Sequence, residues 1–346
     1  MAFRFWRRMK IAPGVTVNLS KSGGSLSFGP RGAKFTVSPR GRRTTMGIPG
    51  TGLFYTATSS RGKGKRGGGS TPPEPAARPE TRLSMGFFQR LVTPQEEEDF
   101  VDGCRELVGG NQTGARGYLR KATELPDAAY MAGLLALDAG DYEEAETCLT
   151  IATRNHRRLG RLLGKYGIDA RTTLRITDQV SAHAEPGLRG CLLALAEVYQ
   201  LQRRPQDALN CLRRLDKLEP GDVVVYLAEA ELLYAARPDD KKIAQRIVSM
   251  AADVENETMV HTALLLYKAK ALRTLGLLDA ARDTLTYALR RKKDRPAELL
   301  RDIRYERACV YEQSGRTSRA RSEFEKLYAD APEYEDVAER LGLVEP

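Results

Sequence analysis

The chain has 346 residues, a length typical of two domains or of one domain followed by a repeat array. Hydrophobic residues make up 41% of the sequence, which excludes a wholly disordered protein, and a content of only five cysteines excludes a disulfide scaffold. No apolar run reaches the roughly 18 residues that a membrane-spanning helix needs.

Charge is unevenly distributed along the chain. Residues 1–70 contain fourteen Lys and Arg and no Asp or Glu; since the whole chain carries +10, the remainder carries −4. Such a division is typical of two physically different modules. We expect the basic end to attract an anionic partner such as nucleic acid or acidic lipid. The alternatives are a solvated Arg-rich surface and docking onto acidic protein, including the acidic part of this chain.

The first module is predicted to be a small antiparallel β meander over residues 1–58. Turn residues such as Pro30-Arg31-Gly32 and Pro39-Arg40-Gly41 recur after nine residues, which leaves room for one strand and one tight turn. Apolar residues alternate between these turns, as a half-buried strand requires, at Val15, Val17 and Leu19, Leu26 and Phe28, Phe35 and Val37, Met46 and Ile48, and Leu53 and Tyr55.

A sheet of this size has a thin core, so its apolar face needs a cover. We expect Phe3, Phe5 and Trp6 to supply it. A second copy of the chain, the helical domain and a membrane surface are the alternatives, and exposed strand edges also favour self-association.

Several short motifs occur in order along this module. They are Arg4-Phe5, Lys10 to Val15, Asn18 to Gly23, Gly29 to Ala33, Gly47 to Leu53, and Tyr55-Thr56. With these motifs, residues 3–57 resemble a bacterial family catalogued as domain of unknown function 4236. The resemblance implies a bacterial source and an N-terminal module, and it implies no known chemistry.

Residues 59–94 are predicted to be a linker rich in Gly, Lys and Pro. From residue 95 onward the apolar period changes to 3.6. Six times, a small residue is followed by an Ala twelve or fourteen positions later. A larger apolar residue comes four positions after each of these Ala residues. These sets are Gly103, Ala115 and Leu119; Gly133, Ala145 and Leu149; Ala196, Ala208 and Leu212; Ala230, Ala244 and Val248; Ala269, Ala281 and Leu285; and Ala308, Ala320 and Phe324.

Small residues at these positions let two helices cross closely, and the larger residue fills the next interface. Together with Gly140-Asp141-Tyr142-Glu143-Glu144-Ala145, which is similar to an inter-helix turn, the pattern resembles the tetratricopeptide-repeat family. It implies a helical array over residues 95–346 with units near 96–126, 127–155, 189–221, 223–258, 262–296 and 301–334 and a capping helix over 335–343. We predict a degenerate unit over residues 156–187, with a helical insertion as the alternative.

The fold class predicted is therefore α+β multidomain: a small antiparallel β meander, a flexible linker and an all-α tetratricopeptide-like helical solenoid. The five cysteines fall in different helices, and His occurs only at His156, His183 and His261. No pattern of metal ligands or catalytic residues is present, so we predict a non-enzymatic chain with no cofactor and no metal.

The resemblance also implies a protein-binding groove on the concave face of the array, lined by the first helix of each unit. By that correspondence the lining residues are Tyr130, Leu134, Glu197, Gln200, Glu231, Tyr234, Lys270, Arg273, Tyr305 and Glu312. Tyr and Arg are common anchors in interfaces. The alternative for each residue is packing between neighbouring first helices.

The sequence thus favours a bacterial adaptor whose solenoid binds a protein segment while the basic module binds an anionic partner or self-associates. The candidate anion-binding residues are Arg31, Lys34, Arg40, Arg42 and Arg43. One alternative is a nucleic-acid-binding protein in which residues 1–70 contact phosphates and Phe54 or Tyr55 stacks on bases. Another is a peripheral membrane scaffold in which Phe3, Phe5 and Trp6 insert into the bilayer.

The predicted compartment is the cytoplasm. The basic residues near the start are not followed by an apolar stretch of roughly 7–15 residues, so they do not form a secretory signal. Attachment to the periphery of the inner membrane is the alternative.

Overall fold

The computed structural model describes the backbone of six strands between residues 6 and 59, and residues 93–344 except 169 and 171. The predicted linker lies outside the described residues, apart from its first and last few positions.

The six N-terminal strands form one antiparallel sheet in chain order. They are β1 Trp6–Ala12, β2 Val15–Ser20, β3 Ser25–Phe28, β4 Ala33–Ser38, β5 Gly41–Gly47 and β6 Phe54–Ser59. The register sets Val15 opposite Phe28, and Phe28 opposite Phe35. The alternating apolar positions are therefore aligned across three strands, and the predicted antiparallel meander is confirmed.

Two strands differ from the prediction. Trp6, expected to cover the sheet, begins β1, a strand that the pattern missed because Arg7, Arg8 and Lys10 interrupt its alternation. Strand β5 begins at Gly41, five residues before the expected Met46, since its backbone pairs on both sides although most of its side chains are not apolar. Backbone hydrogen bonds build a ladder without regard to side-chain polarity.

Two compact units divide the chain, one of residues 1–174 with 183–204 and the other of residues 175–182 with 205–346. The helices of the first unit are α1 Gln95–Val108, α2 Gln112–Lys121, α3 Pro126–Ala139, α4 Tyr142–Arg154, α5 Arg161–Lys165 and α6 Leu188–Leu201. Those of the second unit are α7 Pro205–Leu218, α8 Val223–Ala236, α9 Lys241–Met250, α10 Met259–Thr274, α11 Leu278–Ala288, α12 Ala297–Gln313, α13 Thr317–Asp330 and α14 Val337–Arg340.

Short turns join the paired helices of the first unit. Gly110 and Gly140 have φ of +82° and +81°, a conformation that Gly adopts without steric strain, and they end the preceding helices. The side chains of Asn111 and Asp141 then accept hydrogen bonds from backbone N–H groups in the first turns of α2 and α4, at 3.0 and 3.2 Å. This Gly-Asn or Gly-Asp turn is a C-cap followed directly by an N-cap.

The small residues singled out in the sequence lie where paired helices cross. A Cβ atom on Gly103 would lie 2.7 Å from Cγ of Leu119, and one on Gly133 would lie 2.7 Å from Cγ of Leu149. In the second unit, the corresponding residues are at most 3% exposed: Ala230, Ala244, Ala269, Ala281, Ala308 and Ala320. The paired helices that the spacing predicts are therefore confirmed within each unit.

The last helix pair is closed by a shorter element than the predicted capping helix. Helix α14 has four residues, and its Val337 is fully buried against Phe324 and Leu327 of α13. Tyr334 and Leu341 pack beside this cluster. One helical turn with its flanking residues is therefore enough to cover the apolar end of the pair.

The prediction of a degenerate helical unit over residues 156–187 is wrong. After a single 3₁₀ turn and α5, the chain forms two short strands, β7 Thr172–Arg175 and β8 Ser181–Ala184, that pair with each other. Leu174 and Val180, which were expected on a helix, belong to this hairpin. Burial alternates along both strands, and β-branched Thr172 and Thr173 favour the extended backbone of β7.

A buried carboxylate holds the segment before the hairpin. Oδ1 of Asp127, at the start of α3, accepts hydrogen bonds from the backbone N–H groups of Gly160 at 2.9 Å and Leu163 at 3.1 Å. Asp127 is 1% exposed, and burial raises the pKa of its carboxyl although these hydrogen bonds oppose the shift. The first turn of α5 is thus capped by a residue from another helix.

Candidate functional site

Polar and aromatic side chains gather on one face of three helices of the second unit, α8, α10 and α12. Residues three or four positions apart, such as Tyr267 and Lys270 or Asp302 and Glu306, lie on the same side of a helix. We call this surface the first-helix face, defined by Glu231 and Tyr234 on α8, Tyr267, Lys270 and Arg273 on α10, and Asp302, Tyr305 and Glu306 on α12.

A cation lies between two aromatic rings in this face. The rings of Tyr234 and Tyr267 meet edge to face with their centroids 6.1 Å apart. The Nζ atom of Lys270 lies 5.5 Å from the first centroid and 5.3 Å from the second. These are cation–π distances, so the three side chains from two helices stabilise one another in a fixed arrangement.

A partly buried ion pair joins α10 to α12. Nε of Arg273 lies 2.5 Å from Oε1 of Glu306, and its second nitrogen lies 3.5 Å from Oε2. Glu306 is 3% exposed, so its charge requires this partner. Burial opposes the charge of Arg273, but attraction to Glu306 outweighs it and raises the pKa of the guanidinium.

A neutral carboxyl group lies beside the cation. Burial and the neighbouring charge of Asp178 raise the pKa of Glu231 to about 8, against the opposing effects of Arg175, Lys270 and a hydrogen bond with Tyr267. The carboxyl group is therefore mostly protonated at neutral pH and is able to donate a hydrogen bond as well as accept one.

The turn of the β7–β8 hairpin lies on the first-helix face. We call residues 175–182, which belong to the second unit, the hairpin tip. Nε2 of Gln179 donates a hydrogen bond to Oδ2 of Asp302 at 2.7 Å, and the hydroxyl of Tyr334 donates to the other oxygen of the same carboxylate. Asp302 is held in place from both sides, and burial raises its pKa despite the contact with Tyr334.

Five of the ten residues predicted to line a groove belong to the first-helix face: Glu231, Tyr234, Lys270, Arg273 and Tyr305. The sequence reasoning missed Tyr267, Asp302 and Glu306. Tyr267 lies three residues before Lys270, and Asp302 lies three residues before Tyr305, so helical spacing could have identified both once one residue of each helix was chosen.

The other five predicted residues lie elsewhere. Tyr130 and Leu134 are fully buried, which corrects their assignment to an accessible groove: α3 is buried on nearly every side from Pro126 to Leu137. Glu197 of α6 is 7% exposed and Gln200 is half-buried. Exposed Glu312, near the end of α12, forms an ion pair with Arg340.

The residues predicted for anion or membrane contact lie partly outside the described residues. Lys34 is in β4, Arg42 and Arg43 are in β5, Tyr55 and Phe54 are in β6, and Trp6 is in β1. Arg31, Arg40, Phe3 and Phe5 lie outside the described residues. Binding through this module stays a prediction.

Four of the five cysteines lie in the helical interior, and Cys211 is half-buried. Cys104, Cys148, Cys191 and Cys309 are buried, and burial raises the pKa of each thiol, to about 11 for Cys148 and Cys309. They therefore pack as small apolar residues. Within residues 93–344, apart from 169 and 171, no group of three or more His, Cys, Asp and Glu is placed to hold a metal ion. In the same part of the chain, no helix combines the length and the apolar content needed to cross a bilayer.

One family model matches the N-terminal module. Residues 3–56 match a family model described as Protein of unknown function (DUF4236). The resemblance predicted for residues 3–57 is therefore confirmed. No curated protein matches the chain.

Solved structures match the helical part. One is a thermophilic tetratricopeptide-repeat protein from Thermus thermophilus, with 20% identity, a TM-score of 0.39, and coverage of 63% of this chain and 97% of that one. Another is the assembly chaperone of RpL4, Acl4, with 15% identity, a TM-score of 0.44 and coverage of 72% and 95%. A third is a tetratricopeptide-repeat protein from Parabacteroides merdae, with 15% identity, a TM-score of 0.32 and coverage of 72% and 99%. Each is similar to this chain in fold.

Proposed function

We propose that this chain is a non-enzymatic adaptor that binds a protein segment on the first-helix face of its second unit, while its basic β module anchors it to an anionic partner or to another copy. The observation that carries the proposal is the prearranged set of aromatic and charged side chains on α8, α10 and α12. Each part of that set suits recognition of a polypeptide.

The aromatic side chains supply contact area. Tyr234 and Tyr305 are half-buried, so one part of each ring packs in the protein while the rest is open to a partner. Tyr loses little conformational entropy on binding and is enriched among the residues that dominate interface energetics. The ring of Tyr305 is further held by a hydrogen bond from its hydroxyl to Oδ1 of Asp336 at 2.5 Å.

The charged side chains set the orientation of a bound segment. Lys270 is a fixed cation between two rings, and the carboxylate of Asp302 is a fixed acceptor on the next helix. A polypeptide backbone offers both a carbonyl acceptor and an N–H donor at every residue except Pro. An extended segment can therefore satisfy the cation and the carboxylate together.

The test is selection of peptides from a displayed random library on the full-length chain. Selected peptides should bind the double variant Tyr234→Ala/Lys270→Glu at least about tenfold more weakly, a loss of about 1.4 kcal/mol. The matched control is Tyr118→Ala/Lys121→Glu on α2, where a Lys also lies over a Tyr ring, at 5.3 Å. Equal binding to both variants, or a library without binders, would contradict the proposal.

A second candidate function is nucleic-acid binding through the basic module. The observation that favours it is the net charge of +14 on residues 1–70, which contain no acidic residue. Counterion release makes such binding depend steeply on salt, and this dependence distinguishes it from protein binding.

A further inference from the structure

The hairpin tip forms a turn that is closed by its own hydrogen bonds. The backbone N–H groups of Ile176 and Thr177 both donate to the carbonyl of Val180 at 3.0 Å. The N–H of Val180 donates in return to the hydroxyl of Thr177 at 3.1 Å. The backbone of the tip is therefore stabilised by hydrogen bonds within the tip itself.

The tip is buried, and the amide of Gln179 attaches it to the first-helix face. Ile176, Thr177 and Val180 are 5%, 3% and 1% exposed. Gln179 reaches Asp302 of α12 at 2.7 Å. The side chains of Arg175 and Asp178, which lie 3.3 Å apart, both act on the titration of Glu231 on α8. The tip thus contacts the helices that carry the proposed binding residues.

We propose that the hairpin tip is an intramolecular ligand of the first-helix face, and that the partner of this face is an extended protein segment with the same chemistry. That segment presents an amide side chain to Asp302 between β-branched apolar residues, as Ile176, Gln179 and Val180 do in the tip. The inference rests on the proposed function, because it names the class of partner for that face. A partner must displace the tip, so the tip lowers the apparent affinity of the chain.

The main test uses the full-length chain with residues 175–182 replaced by Asn-Gly, a pair that closes a two-residue hairpin turn. The probe is a labelled synthetic peptide with the sequence of residues 172–184. The replaced chain should bind this peptide at least about tenfold more tightly than the wild-type chain does, a difference of about 1.4 kcal/mol. Equal binding to a folded replaced chain and to the wild-type chain, or no binding to either, would overturn the inference.

Two controls show that the probe binds through the contacts described. A peptide carrying Gln179→Ala and Val180→Ser should bind the replaced chain at least about tenfold more weakly, as should the normal peptide on a replaced chain with Asp302→Ala. Binding that is unaffected by all of these changes would place the peptide elsewhere and overturn the inference.

A second measurement covers the case in which the replaced chain does not fold. In the full-length variant Gln179→Ala, amide hydrogen exchange at Ile176, Thr177 and Val180 should accelerate at least about tenfold while the global unfolding transition is unchanged. Ser181→Ala, at an exposed position of the same hairpin, is the control and should change neither. If exchange at the tip accelerates only together with global unfolding, the tip is part of the core and the inference fails.

The outcomes also separate this inference from the proposed function. If the replaced chain binds the tip peptide but no library peptide binds either chain, the first-helix face binds only the hairpin tip and the proposed function fails. If library peptides bind both chains equally and ignore Asp302→Ala, the proposed function stands and the inference fails.

Discussion

Gly133 on α3 and Leu149 on α4 approach so closely that a Cβ atom on Gly133 would lie 2.7 Å from Cγ of Leu149. The next nearest side chain, that of Cys148, would lie 3.2 Å away. The absence of a side chain at this position is therefore what brings the two helices together.

Gly133→Ala should destabilise the chain. Overpacking of a tight interior costs about 1–3 kcal/mol, more than the roughly 1 kcal/mol that Ala contributes over Gly to helix propensity. Urea denaturation of the full-length chain measures the loss. Gly117→Ala on α2 is the matched control, because a Cβ atom there would meet nothing within 4 Å, and this variant should be slightly more stable than wild type. A loss of stability in the control as large as that in Gly133→Ala would contradict the packing explanation.

Glu231 should make stability depend on pH. Its pKa is raised to about 8 in the folded chain, whereas an unfolded Glu titrates near about 4.3. The folded chain therefore holds the proton more tightly, and this contribution, complete below about pH 4.3, is lost as the pH rises to about 8. The slope is at most about 1.4 kcal/mol per pH unit.

Glu231→Gln, which cannot ionise, should flatten this dependence and raise the free energy of unfolding at about pH 8.5 relative to wild type. The measurement is urea denaturation across the pH range, with exposed Glu333→Gln as the control. If the two variants keep the same pH profile as wild type, Glu231 is ionised in the folded chain and its predicted neutral state is wrong.

Asn256 should be essential to the junction between α10 and α11. Its side chain donates to the carbonyls of Tyr287 at 3.0 Å and Ala288 at 2.9 Å, and accepts from the hydroxyl of Thr262 at 2.6 Å. Because Asn256 is 4% exposed, Asn256→Ala removes three hydrogen bonds from a buried site, including the one to the carbonyl of fully buried Ala288, and should cost about 1–3 kcal/mol. The control in thermal denaturation is Asn210→Ala, at an exposed position. An equal decrease of the melting temperature in Asn256→Ala and Asn210→Ala would refute this role of Asn256.

The basic module should give any nucleic-acid binding a steep salt dependence. In the full-length chain, Arg42→Glu/Arg43→Glu should weaken binding to a labelled duplex and reduce the slope of log K against log salt by about 2. Lys292→Glu/Lys293→Glu, on exposed positions of the helical array, makes the same change in net charge and is the control. Equal weakening in both variants would mean that net charge, and not the module, determines binding.

The repeat architecture could be predicted because helix crossing leaves a sequence signature. Each position of the repeated pattern has a fixed role where two helices pack together. Gly103 leaves room for the neighbouring helix, and Ala115 and Leu119 of that helix are fully buried. The β meander was predictable for a similar reason, since alternation and Pro-Gly turns act locally. Strand β1 lacks that alternation, so its pairing could not be read from the sequence.

The β7–β8 hairpin and its contact with α12 could not be predicted in this way. Leu174 and Val180 are compatible with a helix when only their spacing is considered, and the partner Asp302 lies 123 residues from Gln179. The burial of Tyr130 and Leu134 could not be predicted from the repeat pattern. That pattern indicates which face of a helix lines the groove, but not that other elements cover α3 on nearly every side. The hairpin contact with α12 and the burial of α3 both depend on residues that are far apart in the sequence.

The turn between α8 and α9 shows how helix packing is kept when a turn is longer. Ala230 and Ala244 are fourteen residues apart where the other pairs are twelve apart, and Pro238 lies in the longer turn. The residue that fills the interface is then Ile247, fully buried three positions after Ala244, while Val248, four positions after it, is only half-buried. One position on a helix is a rotation of about 100°. Two added residues are thus compensated by turning α9 about its axis, so insertions in such turns can alter the surface of the array without breaking its succession of helices.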